Sequence, residues 1–177
     1  MARPSNREVI LDAFEQILIA HGTTDATLET VADAAGVSKG GLLYHFGSKQ
    51  DLFAAFGERL LNRVDVAVAA APSDPVEVVR WYLDPDPADA DEAELWRSIL
   101  AALHGTDAGI DETIRSAFTR YARPLEVLDP TLAEQVRLVG DGIFLNSLVG
   151  LAPRRELVAI VDELAARAAR HDGDHAI

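Results

Sequence analysis

The chain contains no cysteine, a single methionine and only two lysines among its 177 residues. Without cysteine there is no disulfide framework, no thiol nucleophile and no thiolate metal site, a composition suited to a reducing compartment. No apolar run approaches the ~18 residues of a membrane span, and the opening residues MARPSNRE lack the apolar core of a signal peptide. The expectation is a cytoplasmic protein with no membrane partner. Signatures of catalysis are missing too: no nucleophile elbow, phosphate-binding Walker loop, zinc-binding histidine pair or dinucleotide fingerprint. Gly140-Asp141-Gly142 falls inside a helical pattern, not in a phosphate loop. His171, Asp172, Asp174 and His175 read as a solvated tail, so neither a metal nor a cofactor is expected.

Positive charge is scarce where negative charge is plentiful. The formal net charge is −13, which opposes attraction of the whole molecule to nucleic acid. Its distribution matters more than its total. Residues 1–50 carry four basic and six acidic side chains, whereas residues 51–177 carry twelve and twenty-three. Both lysines, Lys39 and Lys49, lie in the first fifty residues, and Arg3 and Arg7 add charge near the N-terminus. The pattern is a small basic edge on an acidic body.

What the chain does have is helical periodicity, and no convincing alternation of a strand. At this length it can bury about 70% of its unfolded surface, enough for a core of its own. Ile10, Ala13, Phe14, Ile17 and Leu18 share one face of a first helix ending at His21-Gly22. A long helix runs from Lys49 through Leu52, Phe53, Phe56, Leu60, Val64 and Val68 to about Ala71, where Pro72 stops it. Asp74-Pro75 caps a fifth helix to about Leu83, and the acidic DPDPADAD segment at 84–91 cannot hold a helix. Further helices are predicted over about Glu92–His104, Asp111–Leu128 (bent or broken near Pro124), Asp129–Leu151 and Arg154–Arg170. The fold class is therefore all-α, with about nine helices.

The densest local signal is TLETVADAAGVSKGGLLYHFGSK, Thr27 to Lys49. Thr27 is an N-cap residue before Leu28, Val31 and Ala35, which share a helix face. Gly36 stands where that helix must end, because glycine enters the left-handed region at little steric cost. Ser38 caps a second short helix, and Ser48-x-x-Asp51 opens the long one. Two short helices joined by a tight glycine turn form a helix-turn-helix, which offers its second helix to the major groove of DNA.

AAGVSKGGLLYHFGSK, Ala34 to Lys49, resembles the DNA-binding signature of the TetR family of bacterial transcriptional regulators, and ILDAFEQILIAHG resembles that family's first helix. The resemblance implies a DNA-binding domain over 1–48, a helical ligand-binding and dimerisation domain over 49–170, and a disordered tail over 171–177. It places Lys39, Gly40, Gly41, Leu43, Tyr44, His45 and Lys49 on the DNA-facing side, with Leu42 and Phe46 inward. Thr27, at a helix start, is a phosphate candidate. Lys39 suits guanine O6 and N7, and Tyr44, His45 and Lys49 suit phosphates. Where the family often has tyrosine this chain has Leu43, a partner for a thymine methyl, and the aromatic moves to Tyr44. Gly40-Gly41 costs about 1 kcal/mol of helix stability per glycine relative to alanine, which close approach to the groove would justify.

For the larger domain the resemblance implies an effector pocket and a homodimer. Trp81, Trp96, His104, Phe118, Tyr121 and Asn146 are the pocket candidates, apolar bodies with some polar tips, for an unidentified small molecule. Val136, Val139, Ile143 and Ser147 on the eighth predicted helix, with Leu157, Ile160, Val161 and Leu164 on the ninth, are the candidate dimer face. Periodicity alone equally allows both stripes to pack within one subunit. The reading as a whole is a ligand-responsive repressor that binds a palindromic operator in double-stranded DNA. Its rivals are an all-α sequestering protein with a vestigial helix-turn-helix and an enzyme using the helical cavity.

Overall fold

The computed structural model describes residues 5–83, 108–148, 151 and 156–174. Among these there are eight α-helices, one 3-10 turn and no strand. They are α1 (Asn6–Asp25), α2 (Leu28–Ala34), α3 (Lys39–His45), α4 (Lys49–Ala69), α5 (Pro75–Tyr82), α6 (Ala108–Tyr121), the 3-10 turn Arg123–Val127, α7 (Pro130–Leu148) and α8 (Glu156–Asp174). The helix expected over Glu92–His104 lies outside the described residues.

The chain divides into two compact units, and the division falls inside α4, between Val64 and Asp65, and inside α6, after Ala117. The sequence reading had put the boundary at residue 48, at the start of α4. The first sixteen residues of α4 belong instead with the N-terminal helices, because α1 cannot cover its apolar face otherwise. Phe14 stands edge-on to Phe53 and Phe56, with ring centroids 5.0 and 6.2 Å away. Ile10, Leu11 and Leu18 of α1 and Leu52, Leu60 and Val64 of α4 are fully buried. Each such side chain contributes about 1.5–3 kcal/mol of burial free energy.

One charged residue sits inside this apolar seam. The Glu15 side chain is 2% exposed, and Arg59 and Arg63 of α4 both reach it. Arg59 spreads further, donating to Asp12 and to Glu8, each at 2.6 Å. Burial opposes the charge on Arg59, yet the bonds from Asp12, Glu8 and Glu15 raise its pKa above the ordinary arginine value. A buried carboxylate with two guanidinium partners is satisfied, whereas removing either partner strands a charge.

In the other unit, Val78 and Val79 of α5 and Leu83 just after it meet Leu125 and Leu128 around the 3-10 turn, Leu132 and Val136 of α7, and Leu164, Ala165 and Ala168 of α8. α6 ends at Tyr121 and Pro124 falls in the 3-10 turn that follows, so the chain breaks near this proline as its sequence suggests. Asp74 accepts from the backbone N–H of Val76 and of Glu77, each at 3.0 Å, and Pro75 occupies the first turn, so the capping read from sequence is present. α8 runs to Asp174, so the stretch His171–Asp174 assigned to a disordered tail continues the helix. Among the described residues no helix is long and apolar enough to cross a membrane, and no group of three potential metal ligands occurs.

Candidate nucleic-acid interface

The site is assembled by caps. Thr27 and Thr30 form a reciprocal pair at the start of α2: the Thr27 hydroxyl accepts from the Thr30 N–H at 3.2 Å, and Thr30 Oγ1 accepts from the Thr27 N–H at 2.9 Å. The Thr30 hydroxyl in turn donates to the Asp25 carbonyl at 2.6 Å. Gly36 takes φ +66, the left-handed conformation that ends α2 and turns the chain. Ser38 then accepts from the Gly41 N–H at 3.0 Å and starts α3. At the next corner Ser48 accepts from the Asp51 N–H at 3.1 Å, starting α4.

These caps fix which side of α3 faces out. Leu42 is fully buried and Phe46 nearly so, one turn apart on a single face. Tyr44, on the opposite side, is 86% exposed, and Leu43 beside it is 39% exposed. His45 is half-buried, its ring edge-on to Tyr44 at 5.2 Å. Lys39 and Gly40 are exposed and Gly41 partly so. Tyr44, Leu43 and Lys39 together give this face of α3 an exposed aromatic, an apolar side chain and a cation.

Lys49 makes contacts within the protein that its sequence position does not show. Its ammonium donates to the Thr23 carbonyl at 2.7 Å and lies over the Phe53 ring, 5.6 Å from the centroid. It therefore ties the end of α1 to the start of α4, using one of its three donors. Thr27 is exposed, but its hydroxyl is occupied in the cap. Arg7 lies over the Phe46 ring at 5.1 Å, bringing a cation to the far end of α3.

The Lys39 ammonium is bonded to Glu29 of α2, with both side chains more than half exposed. The bond from Lys39, with a backbone contact and the nearby positive charge, lowers the Glu29 carboxyl below its ordinary pKa. Sequence reasoning missed Glu29. Ten residues separate the two in the chain, and only the Gly36 turn brings them together.

In the second unit the aromatic candidates do gather. Trp81 stacks on Tyr121 at 5.0 Å, and Tyr82 meets Tyr121 at 5.5 Å. Phe118 stands edge-on to Phe144 at 5.3 Å. Asn146 is exposed on α7, and Trp96 and His104 lie outside the described residues. Burial first, then the Asp141 charge, pushes the Tyr82 phenol up to about 12.

The candidate dimer stripes split. Val136 and Leu164 are buried in this unit's own core, with Val139, Ile143 and Val161 packed half-buried against it. They face α5 and the 3-10 turn, so Val136 and Leu164 are not free for a partner. Leu157 is half-buried, Ile160 is exposed, and the Ser147 side chain lies outside the described ones. Apolar side chains left in the open are Leu138 and Leu145 on α7, Leu151 after it, and Val158 and Ile160 on α8.

An all-helical chain with a capped helix-turn-helix and a displayed second helix defines a class of nucleic-acid-reading architecture. Residues 10–56 match the model of bacterial regulatory proteins of the tetR family, and residues 76–169 match that of the tetracyclin repressor-like C-terminal domain. The chain belongs to the TetR family of bacterial regulatory proteins. Over 98 residues it is 33% identical to the transcriptional repressor AcnR of Corynebacterium glutamicum, covering 55% of this chain and 48% of that one. Over 131 residues it is 26% identical to the regulator EthR of Mycobacterium tuberculosis, covering 72% and 55%. The aligned stretch thus spans about half the length of these curated relatives. Among solved structures, the multidrug binding protein EbrR complexed with imidazole superposes with TM-score 0.66 at 28% identity, over 94% of this chain and 96% of that one. A TetR-family member from Streptomyces coelicolor superposes with TM-score 0.69 at 28% identity, over 93% and 98%.

Proposed function

We propose that the chain is a DNA-binding transcriptional regulator of repressor type. It acts as a homodimer on a palindromic operator, and a small-molecule effector releases it. The observation that carries the reading is the outward face of α3, where Tyr44 is 86% exposed while Leu42 and Phe46 on the other side are buried. Lys39, Gly40, Gly41, Leu43 and Tyr44 then meet the groove. His45 at the flank takes a phosphate, and Lys49, already bonded to the Thr23 carbonyl, offers its remaining ammonium donors to the DNA backbone, whereas the N–H and hydroxyl of Thr27 are held in the cap of α2. Two such helices on a two-fold axis would read half-sites about one helical turn apart, or a multiple of it.

The name of AcnR supports a repressor, and EbrR is described as a multidrug binding protein. The aromatic group Trp81, Tyr82 and Tyr121, with Phe118 and Phe144, supplies flat apolar surface of the kind that small-molecule sites use. Linkage supplies the mechanism. An effector that binds better to the DNA-incompetent arrangement weakens operator binding by the same factor as DNA weakens effector binding. α4 carries the signal, since it starts at Lys49 beside α3 and its last residues belong to the other unit.

The test is fluorescence anisotropy with duplexes from upstream of the protein's own reading frame. Lys39→Ala and Tyr44→Ala should each weaken binding about tenfold or more, with helix content unchanged, because both side chains are exposed. Wild-type protein indifferent to all promoter DNA, or variants that bind as well as wild type, would refute the proposal.

A further inference from the structure

We infer that Lys39 and Glu29 read DNA as one unit, and that their paired charges are a specificity element for a single G·C base pair in each half-site. The inference rests on the DNA-reading proposal above and adds a residue that proposal does not use.

Glu29 places a carboxylate on the side of the molecule that is to meet a polyanion, where an acidic side chain costs affinity. It is exposed, its one charged partner among the described residues is Lys39, and α2 is capped by Thr27 and Thr30, so its place in the first turn adds only a small helix-dipole contribution to folding. Toward DNA, an isolated carboxylate there would only repel. Bonded to the first residue of α3, it becomes half of a donor–acceptor pair. Lys39 contributes only N–H donors, and Glu29, ionised and held so by Lys39, contributes only acceptors.

The major-groove edge of a G·C pair has the complementary arrangement. Guanine presents O6 and N7 as acceptors, and cytosine presents its N4 amino group as a donor beside them. An ammonium next to a carboxylate matches that edge in one orientation only. On an A·T pair the adenine amino group and the thymine O4 reverse donor and acceptor along the edge, and on a C·G pair the order is inverted. The pair thus rejects as well as selects, since any wrong base leaves a desolvated charge facing a group of the same polarity. Glu29 also holds the lysine back from the nearest phosphate, where a free ammonium would bind every sequence equally.

Selection from a random duplex library by wild-type protein, Glu29→Ala and Lys39→Ala tests this. Both variants should lose preference at the same G·C pair of each half-site and keep the remaining consensus. In direct titration, exchanging that pair for A·T should weaken wild-type binding about tenfold or more and weaken the Glu29→Ala protein little. Circular dichroism checks that both variants keep their helices. The inference fails if Glu29→Ala keeps the wild-type consensus while binding all sequences more tightly by one factor, because Glu29 then only damps charge. It also fails if the two variants lose different positions. A wild-type protein that enriches no sequence would instead sink the regulator reading itself, and this inference with it.

Discussion

Tyr82 shows how a single residue makes a surface of α5 sensitive to pH. Its ring lies between Tyr121, 5.5 Å away, and the backbone of α7 at Gly140. Burial and Asp141 raise the phenol from 10.0 to about 12, with Arg137 pulling weakly the other way. The neutral phenol is the form the fold favours. Below about pH 10 both folded and unfolded chains hold the proton, and Tyr82 adds no slope. Between about 10 and about 12 the unfolded chain releases it first, so stability falls as pH rises through that window and levels off above it. Urea midpoints measured across this range should decline for wild-type protein, and Tyr82→Phe should remove part of the decline. Identical slopes for the two proteins would show that the phenol is solvated.

Between elements, α5 packs closely on α7 at Gly140. A Cβ built on Gly140 would stand 2.6 Å from Tyr82 Cε1 and 3.1 Å from Cδ1, distances that force the ring or the helix to move. Tyr82 has little room to swing, being packed beside Tyr121 and against the core of Val78, Val79 and Leu83. Gly140→Ala should therefore destabilise by about 1–3 kcal/mol, although alanine is the better helix former by about 1 kcal/mol. A thermal melt raised by the substitution would mean the helices are further apart than described. The glycine's role was not legible in the sequence, where Gly140 read as part of a helical pattern. Helix ends were legible, because Thr27, Gly36, Ser38, Ser48 and Asp74-Pro75 act through local hydrogen bonds and local φ values. The inward row Leu42 and Phe46 was legible for the same reason. Contacts closed over long sequence distance were not: Arg59 and Arg63 on Glu15, Lys49 on the Thr23 carbonyl, and Lys39 on Glu29 all depend on how helices cross. Periodicity shows that a helix has an apolar face and is silent on whether its own chain or another covers it.

At the scale of the whole molecule, that last ambiguity decides where a second copy would bind. The core takes Val136 and Leu164 for itself, leaving Leu138 and Leu145 on α7 and Val158 and Ile160 on α8 uncovered by this chain. Single exposed apolar residues need no explanation, but four on two helices of one unit do. A chain carrying −13 overall also needs a partner surface with few charges, since two like-charged copies repel unless apolar burial outweighs them. The open positions are the ones to substitute. Leu145→Glu combined with Ile160→Glu should give a folded monomer by native mass spectrometry, with operator affinity down by at least about tenfold, because one half-site no longer helps the other to bind. Leu164→Ala should act in the opposite sense, costing about 2–5 kcal/mol of stability without separating subunits under conditions where the protein is folded. If the glutamate pair leaves the dimer intact while Leu164→Ala dissociates it, the subunits meet through the buried stripe, and the described core must open when they associate.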